Sequence, residues 1–380
     1  MIFERVFQWK ELMFMLASHK IILFGNQYQK VCEVFKKVDE GFLDNIDFIV
    51  DSNDIENSQG TREVLGHKYP VCSAEGMRIR LEQRHLIIIC SNNLEGMLAQ
   101  LGYYPELEET LVLFQEDIII NEQYKDLKLP KSLRISEKPL IPKVIHYCWF
   151  GGNPIPEKYK YWMETWKKYC PDYEIVEWNE SNYDYKKNQF MYEAYQAKKW
   201  GFVSDYARLD IIYEHGGIYL DTDVELVKNL DDLLYQKAFA AKQNDSWVAT
   251  GLGFGGIEKF PLFGIWKDDY SNRKFKKSDG SYNETPCPVI QTDTLKSLGF
   301  QNGLEYQVFH ELTIYPAPVL GGYVHSAKSD SKVLLTNENI FSIHHYDGSW
   351  VDSKSKIKRK NFYSRLDMTR ACWERRKNRG

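Results

Sequence analysis

The stretch VSDYARLDIIYEHGGIYLDTDVE, residues 203–225, constrains the fold of this chain more than any other. Apolar residues at helical spacing run up to His215, and Gly216-Gly217 then stops the helix. Ile218-Tyr219-Leu220 reads as a short buried strand, which delivers Asp221 and Asp223 at its carboxyl end. In an open α/β sheet that edge is where ligands bind. Alternation along a strand points the two carboxylates the same way, with Thr222 opposite. Two hard oxygen donors beside a pocket suit a divalent cation that bridges a diphosphate. Upstream, Asp205 and Arg208 are three residues apart and share a helix face. Taken alone, the Asp pair is equally a solvated strand end, and Asp205 with Arg208 a structural ion pair worth about 0.5 kcal/mol.

Around this segment strands and helices alternate. From Lys20 the chain reads KIILFGNQ, a helix-like stretch to Lys37, DNIDFIVDSN, the run LIIIC from Leu86, and a second helical stretch to Leu101. That order implies a parallel, Rossmann-like sheet over about the first 130 residues. Its first turn carries a single glycine, Gly25, where dinucleotide binding wants G-x-G-x-x-G, so the fold reads as lacking its usual phosphate site. Residues 126–142 lose periodicity and bring three prolines, which marks a linker. Beyond it, VIHYCWF (144–150) is a strand closed by Gly151-Gly152, Pro156 opens a helix, and YEIVEW (173–178) alternates like a strand. A length of 380 residues fits two domains better than one. The expected division is 1–137, a Rossmann-like accessory domain, then 138–352, a second α/β domain, then a basic tail over 353–380.

The longer pattern S-D-x-x-R, seven residues, G-G-x-Y-x-D-x-D is formed by Ser204, Asp205, Arg208, Gly216, Gly217, Tyr219, Asp221 and Asp223. It resembles the signature of the DXD-type sugar transferases, which include bacterial capsular polysaccharide transferases, yeast-type initiating mannosyltransferases and the clostridial glucosylating toxins. IPKVIHYCWFGG (141–152) looks like the opening strand of that family, and IHHYDGSW (343–350) like its closing H-H-x-x-x-S-W. The resemblance covers about 141–350 and implies a nucleotide-sugar transferase domain of GT-A type. By it, Trp149 stacks on the nucleotide base and Trp350 reaches the donor's phosphate. Asp223 and His345 hold Mn2+ or Mg2+, with His344 the close rival of His345. Asp221 contacts the ribose, the sugar or the metal shell, Tyr219 belongs to the donor site, and Asp205 with Arg208 hydrogen-bonds the donor sugar's hydroxyls. Adjacent side chains on an extended segment face opposite ways, so only one of the two histidines can point at a metal. Core packing is the other reading of Trp149.

The implied reaction is metal-dependent transfer of a hexose, retaining its anomeric configuration, onto a growing cell-surface polysaccharide or lipid-linked glycan. UDP-hexose is the preferred donor and GDP-mannose the rival. Charge separates in such a step, positive at the anomeric carbon and negative on the departing phosphate, so a cation at the diphosphate favours the transition state over the ground state. A non-catalytic sugar-nucleotide-binding or scaffold protein is the alternative. A haloacid-dehalogenase-type phosphatase also begins D-x-D, but it wants Thr or Val where this chain has Glu225. ATGLGFGG (249–256) could shape the acceptor side, and TPCPVIQTD (285–293) resembles the family's T-G-P-x-x-x-T with Pro286 and Cys287 in place of glycine and proline.

Composition narrows the setting. With 43% hydrophobic residues and only 13 prolines the chain is globular rather than disordered or fibrous. Its apolar runs fall short of the roughly 20 residues that cross a bilayer, and the amino terminus offers no secretory h-region. Seven scattered cysteines without a C-x-x-C pair fit reduced thiols, so a cytoplasmic location is expected. The tail from Lys354 to Arg379 holds eleven Lys/Arg against Asp367 and Glu374. Phe362, Leu366 and Trp373 at near-helical spacing would suit peripheral contact with an anionic membrane at the inner face of the plasma membrane, and a solvated tail is the plainer reading. No stacking platform or recognition motif accompanies the charge, so nucleic acid is not an expected partner.

Overall fold

The computed structural model of the protein describes residues 2–3, 9–51, 60–91, 93–126, 129–325, 332–334 and 340–347. They form two compact units, one built on Met1–Asp126 and the other on Leu127–Ala327 with Asn337–Asp352. Both are mixed α/β. Among the described residues, no helix is long and apolar enough to cross a membrane.

The first unit holds a seven-stranded sheet in the order Ile2–Phe3, Leu111–Phe114, His85–Ile89, Lys20–Phe24, Ile46–Val50, His67–Cys72 and Gly60–Val64. Every neighbouring pair is parallel except the last, where Gly60–Val64 returns as an antiparallel edge. Buried parallel strands need apolar residues on both faces, which is why the runs are unbroken. Ile21, Leu23, Ile49, Leu86 and Ile88 line one face, while Ile22, Phe24, Phe48, Ile87 and Ile89 line the other. Gly25, the lone glycine of the first turn, serves a chain crossing. It has φ +120°, and a Cβ there would stand 2.4 Å from the Cys90 carbonyl oxygen. Gln27 donates its amide to that same oxygen at 2.9 Å.

The second unit carries an eight-stranded mixed sheet. Its main path runs Gln307–Phe309, Leu312–Tyr315, Ala238–Lys242, Phe254–Gly256, Gly217–Tyr219, Val144–Cys148 and Glu174–Trp178, with Val248–Ala249 paired beside Ala238–Lys242. Val144–Cys148, Glu174–Trp178 and Gly217–Tyr219 run parallel, and Phe254–Gly256 lies antiparallel between Gly217–Tyr219 and Ala238–Lys242. One face packs Cys148, Tyr219, Ala240 and Ile314 against the Trp200–His215 helix. The other packs Ile145, Ile218, Phe239 and Tyr315 against Trp166 of the Glu157–Tyr169 helix. Trp166 is fully buried, and its indole N–H donates to the Val224 carbonyl at 2.8 Å, which ties that helix to the segment after the DxD.

One feature differs from the sequence reading. The linker expected over 126–142, with a boundary at 137, joins the second unit from Leu127 onward. Ile135 and Ser136 donate amides to the Tyr235 carbonyl at 3.0 and 2.8 Å, and Leu140 donates to Leu234 at 2.8 Å, so aperiodic backbone is satisfied by partners a hundred residues away. The basic tail, 353–380, lies outside the described residues.

Candidate functional site

The two glycines after the Trp200–His215 helix set the site's position. Gly216 caps the helix by donating to the Ile212 carbonyl at 2.9 Å, and both glycines have positive φ. A Cβ on Gly217 would stand 2.9 Å from the Val144 carbonyl oxygen, so only glycine lets Gly217–Tyr219 pair this closely with Val144–Cys148. The strand ends at Tyr219, one residue short of the expected span, and Asp221 to Asp223 form a turn closed by Val224 N–H to Asp221 O at 3.0 Å. The two carboxylates converge through that turn rather than through strand alternation. Their side chains remain 25% and 14% exposed, which leaves them open to solvent.

The third member comes from far along the chain. Ser342–His344 pairs antiparallel with Val224–Leu226, with His344 opposite Val224. That register brings His344 Nε2 to 3.3 Å from Asp223 Oδ1 and 3.9 Å from Asp221 Oδ2. Among the described residues, Asp221, Asp223 and His344 form a group able to hold a metal ion, with donor atoms all within 4.8 Å of one another. His345, the favoured candidate from sequence, points elsewhere. Its Nε2 lies 2.9 Å from Glu225 Oε2, and its ring stacks on Trp162 at 4.1 Å. Pairing register turns His344, and not His345, towards Asp221 and Asp223. His345 and Asp347 still serve Asp223 through backbone amides, donating at 2.9 Å to its carbonyl and to its Oδ2.

Two carboxylate oxygens and one imidazole nitrogen are a donor set that suits a divalent cation. The Tyr346 amide lies 3.2 Å from His344 Nδ1, and Nε2 faces the carboxylates, so Nε2 is the atom that would meet a cation held there.

Beneath the turn lies a buried charge cluster. Arg208 Nη2 is 3.0 Å from Asp205 Oδ1 and 3.4 Å from Asp221 Oδ1, and its Nε–H donates to the Ser204 carbonyl at 3.1 Å. Burial works against the guanidinium's charge, but Asp221, Tyr219 and Asp205 more than offset it and hold its pKa well above the usual value. Burial pushes the Asp205 carboxyl up to about 6, against the pull of Arg208, and the Asp221 charge adds to the rise. Asp221 moves the other way: burial raises it, yet Arg208, then His344 and Tyr219, bring it below the usual carboxylate range. Three carboxylates, Asp205, Asp221 and Asp223, against one guanidinium leave a formal charge of −2, which a divalent cation balances.

Tyr219, expected in the donor site, is only 1% exposed. It hydrogen-bonds Asp221 from behind and lies under Arg208, whose Cζ is 5.2 Å from its ring centroid. It positions the two charged groups and has no surface to offer a ligand. Trp149 is half-buried at the end of Val144–Cys148, with its indole N–H donating to the Asn153 carbonyl at 2.6 Å and its ring edge-on to Tyr159. Contacts run from it through Tyr159 to Asp347 and so to Asp223. Trp350 lies outside the described residues. Two neighbours of the cluster come from segments read in sequence only as acceptor-side candidates. Cys287, at the start of the Cys287–Ser297 helix, shares a hydrogen bond with the Asp205 carboxyl, and Gly251 abuts Asp221 and Arg208.

Residues 156–240 match the family described as glycosyltransferase sugar-binding region containing DXD motif. Inositol phosphoceramide mannosyltransferase 3 of Schizosaccharomyces pombe is 31% identical over 136 residues, 33% of this chain and 37% of that protein. Mannosyl phosphorylinositol ceramide synthase SUR1 of Saccharomyces cerevisiae is 29% identical over 192 residues, 49% of this chain and 47% of that protein. The chain thus spans less than half the length of these two relatives. Among solved structures, PaToxG Glycosyltransferase is 18% identical with a TM-score of 0.35, covering 44% of this chain and 72% of that one.

Proposed function

We propose that this chain, which carries a DXD-type glycosyltransferase region, transfers a hexosyl group from a nucleoside-diphosphate sugar with the help of a divalent cation. The observation that carries this reading is the convergence of Asp221, Asp223 and His344 above the Asp205–Arg208 pair. In this reading the second unit is a transferase domain of GT-A type and the first a Rossmann-like accessory domain. Mn2+ or Mg2+, when bound, supplies positive charge against the departing diphosphate.

The chain's own residues do the rest. Asp223 is held on two sides by the amides of His345 and Asp347, so its carboxylate is oriented before any ligand arrives. Arg208, fixed by Asp205 and the Ser204 carbonyl and only 3% exposed, acts from beneath by holding Asp221 in place. Fixed partners of this kind convert a chance encounter into an oriented one. Trp149, half-exposed at the same sheet edge, offers a ring for the nucleotide base.

The relatives are named as mannosyltransferases acting on inositol phosphoceramide, so a mannosyl donor stands beside UDP-hexose as the first to assay. A lipid-linked or cell-surface glycan acceptor, retention of configuration, and cytoplasmic work at a membrane surface complete the reading. Nucleotide release from a panel of UDP- and GDP-sugars, with Mn2+ or with chelator, tests it alongside Asp223→Ala. Metal-dependent release from one donor, lost in the variant, is expected. Tight donor binding without release under any acceptor would favour a sugar-nucleotide-binding protein instead. Vesicle flotation of full-length protein and of protein cut before residue 353 tests the membrane contact, and equal recovery in the unbound fraction refutes it.

A further inference from the structure

The helix Glu157–Tyr169 meets the two-stranded sheet of Val224–Leu226 and Ser342–His344 along a single stripe. Lys158, Tyr159, Trp162, Thr165 and Trp166 recur at helical spacing, so they share one face. The carboxyl half of the stripe holds Val224–Leu226. Trp166 Nε1 donates to the Val224 carbonyl at 2.8 Å, and the Leu226 amide donates to Thr165 Oγ1 at 2.9 Å. Its amino half holds the residues that follow Ser342–His344. The ring of Trp162 stacks on His345 at 4.1 Å, and the carboxylate of Asp347 accepts from both Tyr159 Oη and Lys158 Nζ.

Those last residues make a turn that needs an anchor. Tyr346 has φ +51°, a left-handed conformation that a bulky side chain adopts only where its surroundings impose it. One residue on, the Asp347 amide donates to Asp223 Oδ2 at 2.9 Å. The other oxygen of that carboxylate, Oδ1, faces His344 Nε2 at 3.3 Å. The Asp347 amide therefore sets the rotation of the Asp223 carboxylate, and the Asp347 side chain fixes where that amide lies. Tyr159 is suited to anchor it, being 8% exposed with its ring edge-on to Trp149 and tilted against Trp162. Among the described residues, the group able to hold a cation comprises Asp221, Asp223 and His344 without Asp347, so Asp347 acts at one remove.

We propose that Asp347 is a positioning residue of the cation cluster, and that the Tyr159 hydroxyl, by bonding its carboxylate, fixes the turn that orients Asp223. This rests on the reading of Asp221, Asp223 and His344 as a divalent-cation site. The two side chains form one link, so breaking it from either end should weaken the cation, and breaking it from both should add little.

The test titrates Mn2+ calorimetrically into the full chain at constant pH, alone and with UDP or GDP present. Wild type is compared with Tyr159→Phe, Asp347→Ala and the double variant, and thermal unfolding in chelator checks that each is folded. Partners one step removed from a metal ligand contribute about 10- to 100-fold in affinity, so each single variant should bind Mn2+ about tenfold more weakly. The double variant should fall within about twofold of Asp347→Ala. Tyr159→Phe removes only a hydroxyl, and it decides the matter if the alanine variants do not fold. A loss under about threefold from Tyr159→Phe overturns the link. So do losses that multiply in the double variant, the pattern of an Asp347 that touches the cation itself. Wild type that takes up no Mn2+, alone or with either nucleotide, overturns the cation reading itself, and the assignment with it.

Discussion

The choice between two adjacent histidines is the sharpest consequence of the structure. His344→Ala takes the cluster from three donor atoms to two, and the atom lost lies 3.3 Å from Asp223 and 3.9 Å from Asp221. Removing even an outer partner of a metal ligand costs about 10- to 100-fold in affinity, so loss of a ligand should cost Mn2+ binding about 100-fold or more, roughly 2.7 kcal/mol. His345→Ala removes the 2.9 Å pairing with Glu225 and the stack on Trp162, both partly exposed, at a cost of about 0–1 kcal/mol in stability. The amide that holds the Asp223 carbonyl remains in that variant, so Mn2+ affinity should change less than about threefold, under 1 kcal/mol. Calorimetric titration of Mn2+ into each protein at constant pH reads the difference, with thermal unfolding in chelator as a check on folding. A larger loss from His345→Ala, or equal losses, would refute the placement of His344 in the cluster.

Other outcomes follow from the charges. Arg208→Ala strands two carboxylates in a buried cluster and should cost about 3–5 kcal/mol in urea unfolding, whereas a loss under about 1 kcal/mol would mean that the pair is solvated. Because Asp205 sits near 6, its protonation frees Arg208 from one partner and reduces the cluster's negative charge, so donor turnover should fall as pH drops through about 6. The stability contribution of Asp205 has the opposite sign. Its folded pKa is raised, so that contribution is full below the unfolded value near 3.8 and is lost as pH rises through about 6. An acid limb in turnover that Asp205→Asn leaves unmoved would contradict this. His146 is buried beside His215, and burial first, then that neighbour, lowers it to about 4 from 6.5. A depressed folded pKa gives stability that is present above 6.5 and lost as pH falls towards 4, about 1.4 kcal/mol per unit, and His146→Gln should flatten the slope measured by urea titration between pH 7 and 5.

Much of the second unit was legible because local signals agreed with tertiary need. Gly216-Gly217 ended a helix and opened a strand in sequence, and in the structure they do so because the strand passes too close to Val144 for any side chain. The apolar runs of the first unit likewise announced strands buried on both faces. What sequence could not give is whatever depends on register between distant segments. The antiparallel insertion of Phe254–Gly256 into the sheet, the selection of His344 by its pairing with Val224, and the placement of Gly251 against Asp221 are all of this kind. Tyr219 shows the opposite error. Its position in a motif suggested contact with the donor, but the alternation that aims a side chain also decides whether it faces the ligand or the core. The linker misled for a simpler reason, since prolines and lost periodicity signal irregular backbone and say little about whether that backbone is docked.

The pairing of Val224–Leu226 with Ser342–His344 has a consequence for how the protein comes into being. A growing chain emits Asp221 and Asp223 more than a hundred residues before the histidine that completes the cluster and the amides that orient it. Most of the sheet can assemble in that interval, but the carboxylates must wait. A product released early, or clipped within the closing segment, would keep a well-packed body and lose the arrangement that chemistry needs. Competence at this site therefore reports on the integrity of the whole second unit, and it is acquired only after residues 342–347 have been made.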